Sequence, residues 1–175
     1  MFLKKIAVSR YCHLSVEDKM CKDICAEIMD TQLDVHKAID FVSDDAHGAV
    51  ATFLGVVRNH HQGKSVQGIS YDVHDSLARE VLESICSEGV GFWPETKYYA
   101  AHYKGELGIG GVSVLIAVSS AHRADSFDAL RYVIEEIKLR LPVWKQEHYS
   151  DGKSAWLPGN SLREDVSSVC CGKCG

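Results

Sequence analysis

The feature that most constrains the fold is the apolar run at residues 112–118, Val-Ser-Val-Leu-Ile-Ala-Val, which follows a glycine-rich segment. An apolar run of this length beside a turn signal is typical of a strand buried on both faces. The aromatic-rich residues 97–103 precede it and also have strand character. A glycine-rich turn at residues 105–111 joins the two, so the sequence predicts a pair of strands connected as a hairpin.

Three segments have the apolar periodicity of amphipathic helices. Residues 33–42 repeat apolar side chains at helical spacing, and Asp34 is suited to cap the start of that helix. Residues 77–89 do the same, and the glycine at position 89 is the expected stop. The third helix covers residues 127–141 and ends there, because the proline that follows disfavours helical backbone at the preceding residue.

Four further segments have strand character: a fully buried run, an alternating half-buried run, and two short strands around an Asp-Gly turn. They are residues 48–54, 69–74, 143–148 and 154–157. The polar residues 59–65 are predicted to form a mobile loop. This order of helices and strands predicts a single-domain α+β fold, with a mixed sheet and packed helices.

Length and composition exclude several classes of protein. The 175 residues suit one domain, and no apolar run approaches the roughly 20 residues that span a bilayer. A net charge of -5 gives no general attraction to nucleic acid or anionic lipid, so anion binding requires a local cluster. The first ten residues lack the apolar core of a secretory signal, which predicts a cytoplasmic protein.

The two ends of the chain differ from the domain predicted at residues 31–160. Residues 1–30 have weak periodicity and are predicted to be an N-terminal extension with a short helix at residues 15–29. Residues 161–175 form a tail with three cysteines, for which a zinc site and an oxidation-prone disordered segment are the two interpretations. The seven cysteines of the chain do not have the pattern of a secreted disulfide framework.

Five basic side chains lie just outside the apolar runs, where the mouth of a cleft forms easily. They are Arg58, His122, Arg123, Lys138 and Lys145. A helix start presents free N–H groups to anions, and an arginine can form two parallel bonds to a phosphate. Each residue alone also has a structural explanation, such as a lysine whose stem covers apolar surface. Their combination favours a cationic site for a small anionic substrate, with residues 59–65 closing over it.

A metal site has weaker support. The nine histidines form no HxxxH or HExxH pair, and the neighbours His60 and His61 are expected to point apart on a strand. We therefore expect no catalytic metal and no resident cofactor.

Three blocks of the sequence together resemble the large, catalytic subunit of molybdopterin synthase, the MoaE type. They read GAVATFLGVVRNHHQGKSVQGISYDVH, HYKGELGIGG and SSAHRADSFDALRYVIEEIKLRLPVWKQE. In order along the chain, they contain a GxVR element, an AHR element and two lysines separated by six residues. The resemblance covers residues 33–157.

The resemblance implies an α/β hammerhead fold and a heterotetramer, in which two large subunits form a central dimer and each binds a small ubiquitin-like sulfur carrier. The Gly-Gly thiocarboxylate of the carrier enters a pocket of the large subunit. Two sulfur atoms pass successively to cyclic pyranopterin monophosphate, whose cyclic phosphate opens as the dithiolene of molybdopterin forms. Neither a nucleic acid nor a membrane is expected as a partner.

The resemblance also implies roles for individual residues. Lys138 corresponds to the residue beside the carrier thiocarboxylate, as acid/base or transient acceptor, and Lys145 to a second essential lysine that contacts the substrate. The other positions implied to bind the substrate or line its pocket are Val56, Val57, Arg58, His122, Arg123, Gln146 and Glu147. Val56 and Gln146 stand where many members have a basic residue, so either substrate affinity differs or the dimer partner supplies part of the pocket.

Two other classes of function compete with a sulfur-transferring enzyme. A homologue that binds the carrier without catalysis is expected to lack one of the two lysines, and both are present. A nucleic-acid-binding module needs a broad cationic face or an aromatic stacking platform, and the net charge argues against it.

Overall fold

The computed structural model describes residues 22–157, which form two β-sheets and three α-helices. In chain order the elements are β1 (Ile24–Met29), α1 (Val35–Val42), β2 (Ala49–Val56), β3 (His60–His61), β4 (Lys64–Val73), α2 (Asp75–Phe92), β5 (Lys97–Tyr103), β6 (Gly105–Gly108), β7 (Val112–Ser120), α3 (Arg123–Arg140), β8 (Val143–Tyr149) and β9 (Ser154–Leu157). The predicted α+β class is confirmed.

The two sheets differ in strand direction. The first sheet has the order β1-β5-β7-β2, in which β1 is parallel to β5 and the other neighbours are antiparallel. The second sheet has the order β3-β4-β8-β9, all antiparallel, and β6 pairs with β4 beside that path. The first sheet is therefore mixed, as predicted, and the predicted pairing of residues 97–103 with residues 112–118 is confirmed.

Strand β7 is the centre of the core because both of its faces are buried. Val114, Ile116 and Val118 pack with α2 and α3 on one face, while Leu115 and Ala117 pack with α1 on the other. Each larger aliphatic side chain buried in this way contributes about 1.5–3 kcal/mol. Residues 112–118 thus connect the apolar cluster formed with α2 and α3 to the one formed with α1.

Helix boundaries agree with the sequence where a chemical signal fixes them. Asp34 caps α1, since its carboxylate accepts hydrogen bonds from the backbone N–H groups of His36 and Lys37 at 2.8 and 3.4 Å. Helix α3 ends at Arg140, and Leu141 is extended (φ -69°, ψ 125°) as expected for a residue before proline. No helix within residues 22–157 is long and apolar enough to cross a membrane.

The predicted helix at residues 15–29 is wrong for its last six residues. Residues 22–23 are helical, but residues 24–29 form strand β1, which pairs with β5. The first sheet therefore includes residues before position 31. The partner of Ile24 is Tyr98, and local periodicity carries no information about so distant a pairing. Residues 1–21 and 158–175, with the predicted cysteine tail, lie outside the described residues.

Strand β2 is not the fully buried strand that its composition predicts. It is an edge strand of the first sheet, and Val50, Leu54 and Val56 are 45%, 42% and 51% exposed. Helix α1 packs mainly on β5 and β7, so among residues 22–157 no helix covers this face of β2. Only the opposite face of β2, including Phe53, packs against the core beneath α3.

Residues 59–65 form an ordered hairpin rather than a mobile loop. Strand β3 pairs with the start of β4 around Gln62 and Gly63, whose φ angles are 47° and 77°. Gly63 suits this left-handed conformation because it has no Cβ. The backbone N–H of Val66 also donates to the carbonyl of Asn59 at 2.9 Å, which closes the hairpin at its base.

Helix α2 continues past Gly89, the predicted stop, to Phe92. Gly89 is buried against Tyr98, and an added Cβ would lie 2.8 Å from the Tyr98 hydroxyl oxygen and 2.9 Å from its Cζ. The Tyr98 ring is fully buried, and its hydroxyl is hydrogen-bonded to Thr96 at 2.9 Å. The glycine is therefore required by packing and not by a helix end.

We predict that Gly89→Ala destabilises the fold by about 1–3 kcal/mol, because the new methyl group has to displace a buried ring. Gly91→Ala is the matched control in the same helix: its added Cβ meets no atom within 4 Å. Higher helix propensity should leave that variant as stable as the wild type, or more stable by up to about 1 kcal/mol. Urea unfolding measures both, and equal stability of the two variants would contradict the packing role.

Helices α2 and α3 are also joined by a charged contact. Arg140 donates to the two carboxylate oxygens of Glu88 at 2.6 and 2.8 Å, and the Tyr132 hydroxyl donates to the same carboxylate at 2.6 Å. The hydrogen bonds from Arg140, and then that from Tyr132, lower the pKa of Glu88 to about 2. Both charged side chains are 36% exposed, so solvent screening limits the contact to about 1 kcal/mol.

We predict that this stabilisation disappears in acid. A carboxyl whose pKa is lowered by folding stabilises the folded state above its ordinary pKa of 4.5, and the contribution is lost as the pH falls through about 2. Glu88→Gln should be less stable than the wild type by about 1 kcal/mol at pH 7, with the difference vanishing towards pH 2. Thermal unfolding across this range checks it, with Glu83→Gln, an exposed position on the same helix, as control. A difference between Glu88→Gln and the wild type that is constant with pH would rule out the charged contact as its cause.

Candidate active site

A buried carboxylate, Glu147, is the centre of a polar cluster on one face of β8. Its side chain is 5% exposed, and its Oε2 accepts hydrogen bonds from His61 Nδ1 at 2.8 Å and from the Tyr149 hydroxyl at 3.0 Å. The Nζ of Lys145 lies 3.8 Å from the other oxygen, Oε1. Because a buried carboxylate is costly without partners, these three groups are what stabilise Glu147 in the interior.

Lys145 lies on the same face of β8 as Glu147, since the two are separated by one residue of a strand. Its side chain is 41% exposed, so the ammonium group is accessible to a ligand. The residue opposite Lys145 on β4 is Tyr71, whose ring packs edge-on against His102 with centroids 5.3 Å apart. Burial lowers the pKa of His102 to about 4, so this imidazole is neutral at pH 7. The positive charge near this face comes from Lys145 and from Lys64, whose Nζ lies 5.1 Å from the centre of the Tyr149 ring.

Gln146 points to the opposite face of β8 from its neighbours Lys145 and Glu147. Its side-chain amide donates to the Ser154 hydroxyl on β9 at 3.2 Å. Within one chain the structure therefore separates Gln146 from the lysine face, although the sequence places it among the expected pocket residues.

Val57 and Arg58 follow β2 at the point where the chain crosses to the second sheet. Val57 is 3% exposed and belongs to the same small core as Tyr149, the residue that donates to Glu147. Val56 and Arg58, on either side of it, are exposed. Arg58 makes no hydrogen bond or ion pair with other residues of the described part of the chain. Its guanidinium is thus available to an anion near the Glu147 cluster.

Lys138 lies in the last turn of α3. This helix starts two residues after β7 and packs on β2 and β7, so it runs back along the first sheet towards the end of β2. The side chain of Lys138 is exposed, whereas its neighbour Ile137 is buried in the core. The direction of α3 therefore takes Lys138 towards the end of β2 that precedes Arg58, and Lys145 follows Lys138 by seven positions in the chain. We call the set Arg58, Lys138, Lys145 and Glu147 the lysine end.

His122 and Arg123 lie at the start of α3. His122 is the N-cap residue, with extended backbone (φ -128°, ψ 144°), and its side chain makes no capping hydrogen bond. Both side chains are exposed. Free helix N–H groups beside an arginine are suited to an anion, as the sequence predicts.

A single chain does not bring all the predicted residues together. Arg123 and Lys138 are 15 positions apart on α3, which at about 1.5 Å per residue is roughly 22 Å. Strand β2 shows the same separation. Its first residue pairs with Ser120, which is close to His122 in the chain, and its last residue is followed closely by Arg58. The strand between these two ends is roughly 23 Å long. The prediction of one cleft containing all five basic residues is therefore wrong for an isolated chain.

The sequence analysis does not identify His61 or Tyr149 as site residues, although both hold Glu147. The expected divergence of the two neighbouring histidines is observed: His60 is exposed and bonds to the adjacent Asn59, while His61 is turned inward. The alternation of side-chain directions along a strand was therefore the signal that could have identified His61 as an inward-facing residue. It does not reveal the partner of His61, because that contact spans 86 positions of the chain.

Two other candidate sites receive little support. Within residues 22–157 no group of three or more His, Cys, Asp or Glu side chains is arranged to hold a metal ion. A cavity of about 460 Å³ lies near the start of β2, away from Arg58, and is lined by Ser43, Asp44, Asp45, His47 and Val50. Its two aspartates disfavour an anionic ligand.

Comparison with known proteins agrees with the fold and with the sequence blocks. The chain matches the family model described as MoaE protein over residues 28–140. It is 46% identical over 132 residues to the molybdopterin synthase catalytic subunit of Synechococcus elongatus, a match that covers 75% of this chain and 80% of that protein. Among solved structures it is similar to molybdopterin synthase from Staphylococcus aureus, with a TM-score of 0.74 and 34% identity over 76% of this chain and 96% of that one.

A more distant structure shares the fold alone. It is the complex of subunits 1 and 2 of molybdopterin-converting factor from Helicobacter pylori, with a TM-score of 0.59 and 22% identity over 82% of this chain and 90% of that one. The family model matches more than half of the chain, and the Synechococcus relative is matched over most of its length. The chain therefore belongs to the MoaE family, the family of molybdopterin synthase catalytic subunits.

Proposed function

We propose that this chain is the catalytic subunit of a molybdopterin synthase. It transfers sulfur from the thiocarboxylated C-terminus of a small ubiquitin-like carrier to cyclic pyranopterin monophosphate, which becomes the dithiolene of molybdopterin. The observation that carries the proposal is the 46% identity to a catalytic subunit, in a chain that keeps both Lys138 and Lys145. The alternative is a homologue that binds the carrier without catalysis. Such a protein is expected to have lost Lys138 or Lys145, and both are present.

The charges of the lysine end suit this reaction because both reactants are anions. The thiocarboxylate and the phosphate each favour a cation, and Arg58, Lys138 and Lys145 all have accessible charged groups. In the proposal Lys138 acts next to the thiocarboxylate, as acid/base or transient acceptor, and Lys145 contacts the pterin substrate. The buried Val57 and Glu147 shape this end from beneath.

The sulfur donor in this proposal is a separate small subunit. The Helicobacter pylori structure is a complex of two subunits of molybdopterin-converting factor, and we infer an equivalent partner for this chain. Its Gly-Gly terminus is narrow enough to approach Lys138 along the exposed end of α3. We place both subunits in the cytoplasm, and the thiols of Cys25 and Cys86 are free, as is usual there.

We further propose that two copies of the chain are needed to complete each site. Strand β2 has a free edge and an uncovered apolar face formed by Val50, Leu54 and Val56. Two such strands related by a two-fold axis run antiparallel, so the start of one lies beside the end of the other. His122 and Arg123 of one copy would then lie near Arg58 of its partner. A site shared in this way explains why the basic residues of one chain are separated.

We predict that Lys138→Ala lowers molybdopterin formation by at least about 100-fold, because it removes the proposed acid/base group. The purified chain is mixed with thiocarboxylated carrier and cyclic pyranopterin monophosphate, and product is followed over time. Carrier affinity, measured by titration calorimetry, should be largely unchanged. Lys153→Ala is the control, since that side chain is 81% exposed and lies outside the lysine end.

Two results decide between the functions. Full turnover by Lys138→Ala would exclude the role given to this lysine. Carrier binding without product from the wild type would instead support the non-catalytic homologue.

We predict that two inactive variants restore each other. Arg58→Ala and Arg123→Ala each remove a phosphate-binding group, and a mixed dimer of the two has one site with neither change and one site with both. Random mixing makes half of the dimers mixed, so activity should recover to about a quarter of the wild type. The variants are unfolded together, refolded and assayed beside each variant refolded alone. No recovery on mixing would rule out a site shared between Arg58 of one copy and Arg123 of the other.

A further inference from the structure

We propose that His61 is a positioning residue for Lys145: by holding the Glu147 carboxylate from the β3–β4 hairpin, it keeps the lysine ammonium free for the substrate. The inference rests on the proposed function, in which Lys145 contacts the substrate. His61 itself lies outside the set of residues that the sequence assigns to the site.

The hydrogen bonds of Glu147 are divided unequally between its two oxygens. Oε2 accepts from His61 Nδ1 at 2.8 Å and from the Tyr149 hydroxyl at 3.0 Å, which uses both of its lone pairs. Because a carboxylate only accepts, the Nδ1 of His61 carries the proton in this bond. Oε1 has Lys145 Nζ at 3.8 Å, beyond hydrogen-bonding distance. The carboxylate is thus fixed close to Lys145 without binding its ammonium group.

The residues around Glu147 explain why His61 is the one that holds its carboxylate. The residues paired with Glu147 across the sheet are Ile69 on β4 and Ala155 on β9, and neither side chain is a donor. Lys145 and Tyr149 lie on the same strand as Glu147. Of the donors to this carboxylate in residues 22–157, His61 is therefore the one that comes from another element, and its side chain is 18% exposed.

Loss of the His61 donor changes what the carboxylate binds. A buried carboxylate that loses a donor turns to the nearest one available, and that is the Lys145 ammonium group. A charge-assisted hydrogen bond between the two would hold Lys145 against β8, weaken its contact with the substrate and lower its reactivity towards an acetylating reagent. His61 therefore acts through Glu147 and does not touch the reacting atoms.

The β3–β4 hairpin also connects Arg58 with the hydrogen bond that holds Glu147. Arg58 precedes β3, and His61 is the last residue of that strand. Any movement of the hairpin therefore displaces both the Arg58 guanidinium and the group that holds Glu147.

Three variants separate a donor role from simple packing. His61→Leu removes the donor, whereas His61→Asn keeps an N–H at almost the same position, because the Asn Nδ2 and the His Nδ1 are attached to equivalent atoms. His60→Leu is the matched control on the same strand, since His60 is exposed and bonds only to Asn59 within the described residues.

The experiment has one readout that does not depend on catalysis. Each intact chain is treated briefly with an amine-acetylating reagent, and acetylation of Lys145 is measured by peptide mass spectrometry relative to Lys153, which is 81% exposed. We expect the Lys145 signal to fall at least about threefold in His61→Leu and to stay at the wild-type level in His61→Asn and His60→Leu. In the sulfur-transfer assay, kcat of His61→Leu should fall about tenfold, while KM for the carrier stays within about twofold.

The outcomes distinguish this inference from the proposed function. Wild-type acetylation and turnover in His61→Leu would overturn it, and so would a loss in His61→Asn as large as that in His61→Leu. If the wild type makes no molybdopterin, the proposed function fails, while the acetylation ratio still tests the role of His61. Should His61→Leu not fold, the smaller change His61→Ala removes the same donor, and unchanged Lys145 acetylation in that variant would overturn the inference.

Discussion

The antiparallel pairing of β2 with β7 fixes the distance between the two groups of basic residues in this chain. Strand β7 is buried on both faces, and the register from Ala49–Ser120 to Val56–Val112 cannot slip by one residue without moving Phe53 out of the core. Helix α3 follows β7 directly and runs back over the same strands. The separation of the His122-Arg123 pair from the lysine end is thus a property of the topology. No choice of rotamer brings them together in one chain.

The lysine end combines accessible cations with one buried anion. The chain as a whole has a net charge of -5, so attraction of a phosphate or thiocarboxylate depends on the local arrangement of these cations. Glu147 is buried, and His102, whose ring packs against Tyr71, is neutral because burial lowers its pKa. The site therefore keeps its positive charge on flexible, exposed side chains while the residues that orient them are buried and rigid. In the proposed function, such a division lets the cations adjust to two different anions without repacking the core.

The sequence predicts most of the elements, because local signals determine them. The proline after α3, the Asp34 cap and the apolar run in β7 are all confirmed, and each acts on its immediate neighbours. The errors fall where a distant partner decides the outcome. Strand β1 depends on β5, the exposed face of β2 depends on the position of α1, and Gly89 is placed by Tyr98. The sequence also identifies the basic residues themselves. Their separation follows from tertiary packing and could not be predicted from the sequence.

The β3–β4 hairpin carries a further consequence for how this chain tolerates change in length. Surface hairpins usually accept inserted or deleted residues, because their ends stay in place while the tip varies. Here the residue next to the tip, His61, is anchored to Glu147, and the base of the hairpin is closed by the hydrogen bond between Val66 and Asn59. An added residue between Arg58 and Gly63 would reverse the side of β3 on which the histidine stands. Among natural variants of this chain, the length of this turn should therefore be conserved more strictly than the identities of its exposed residues.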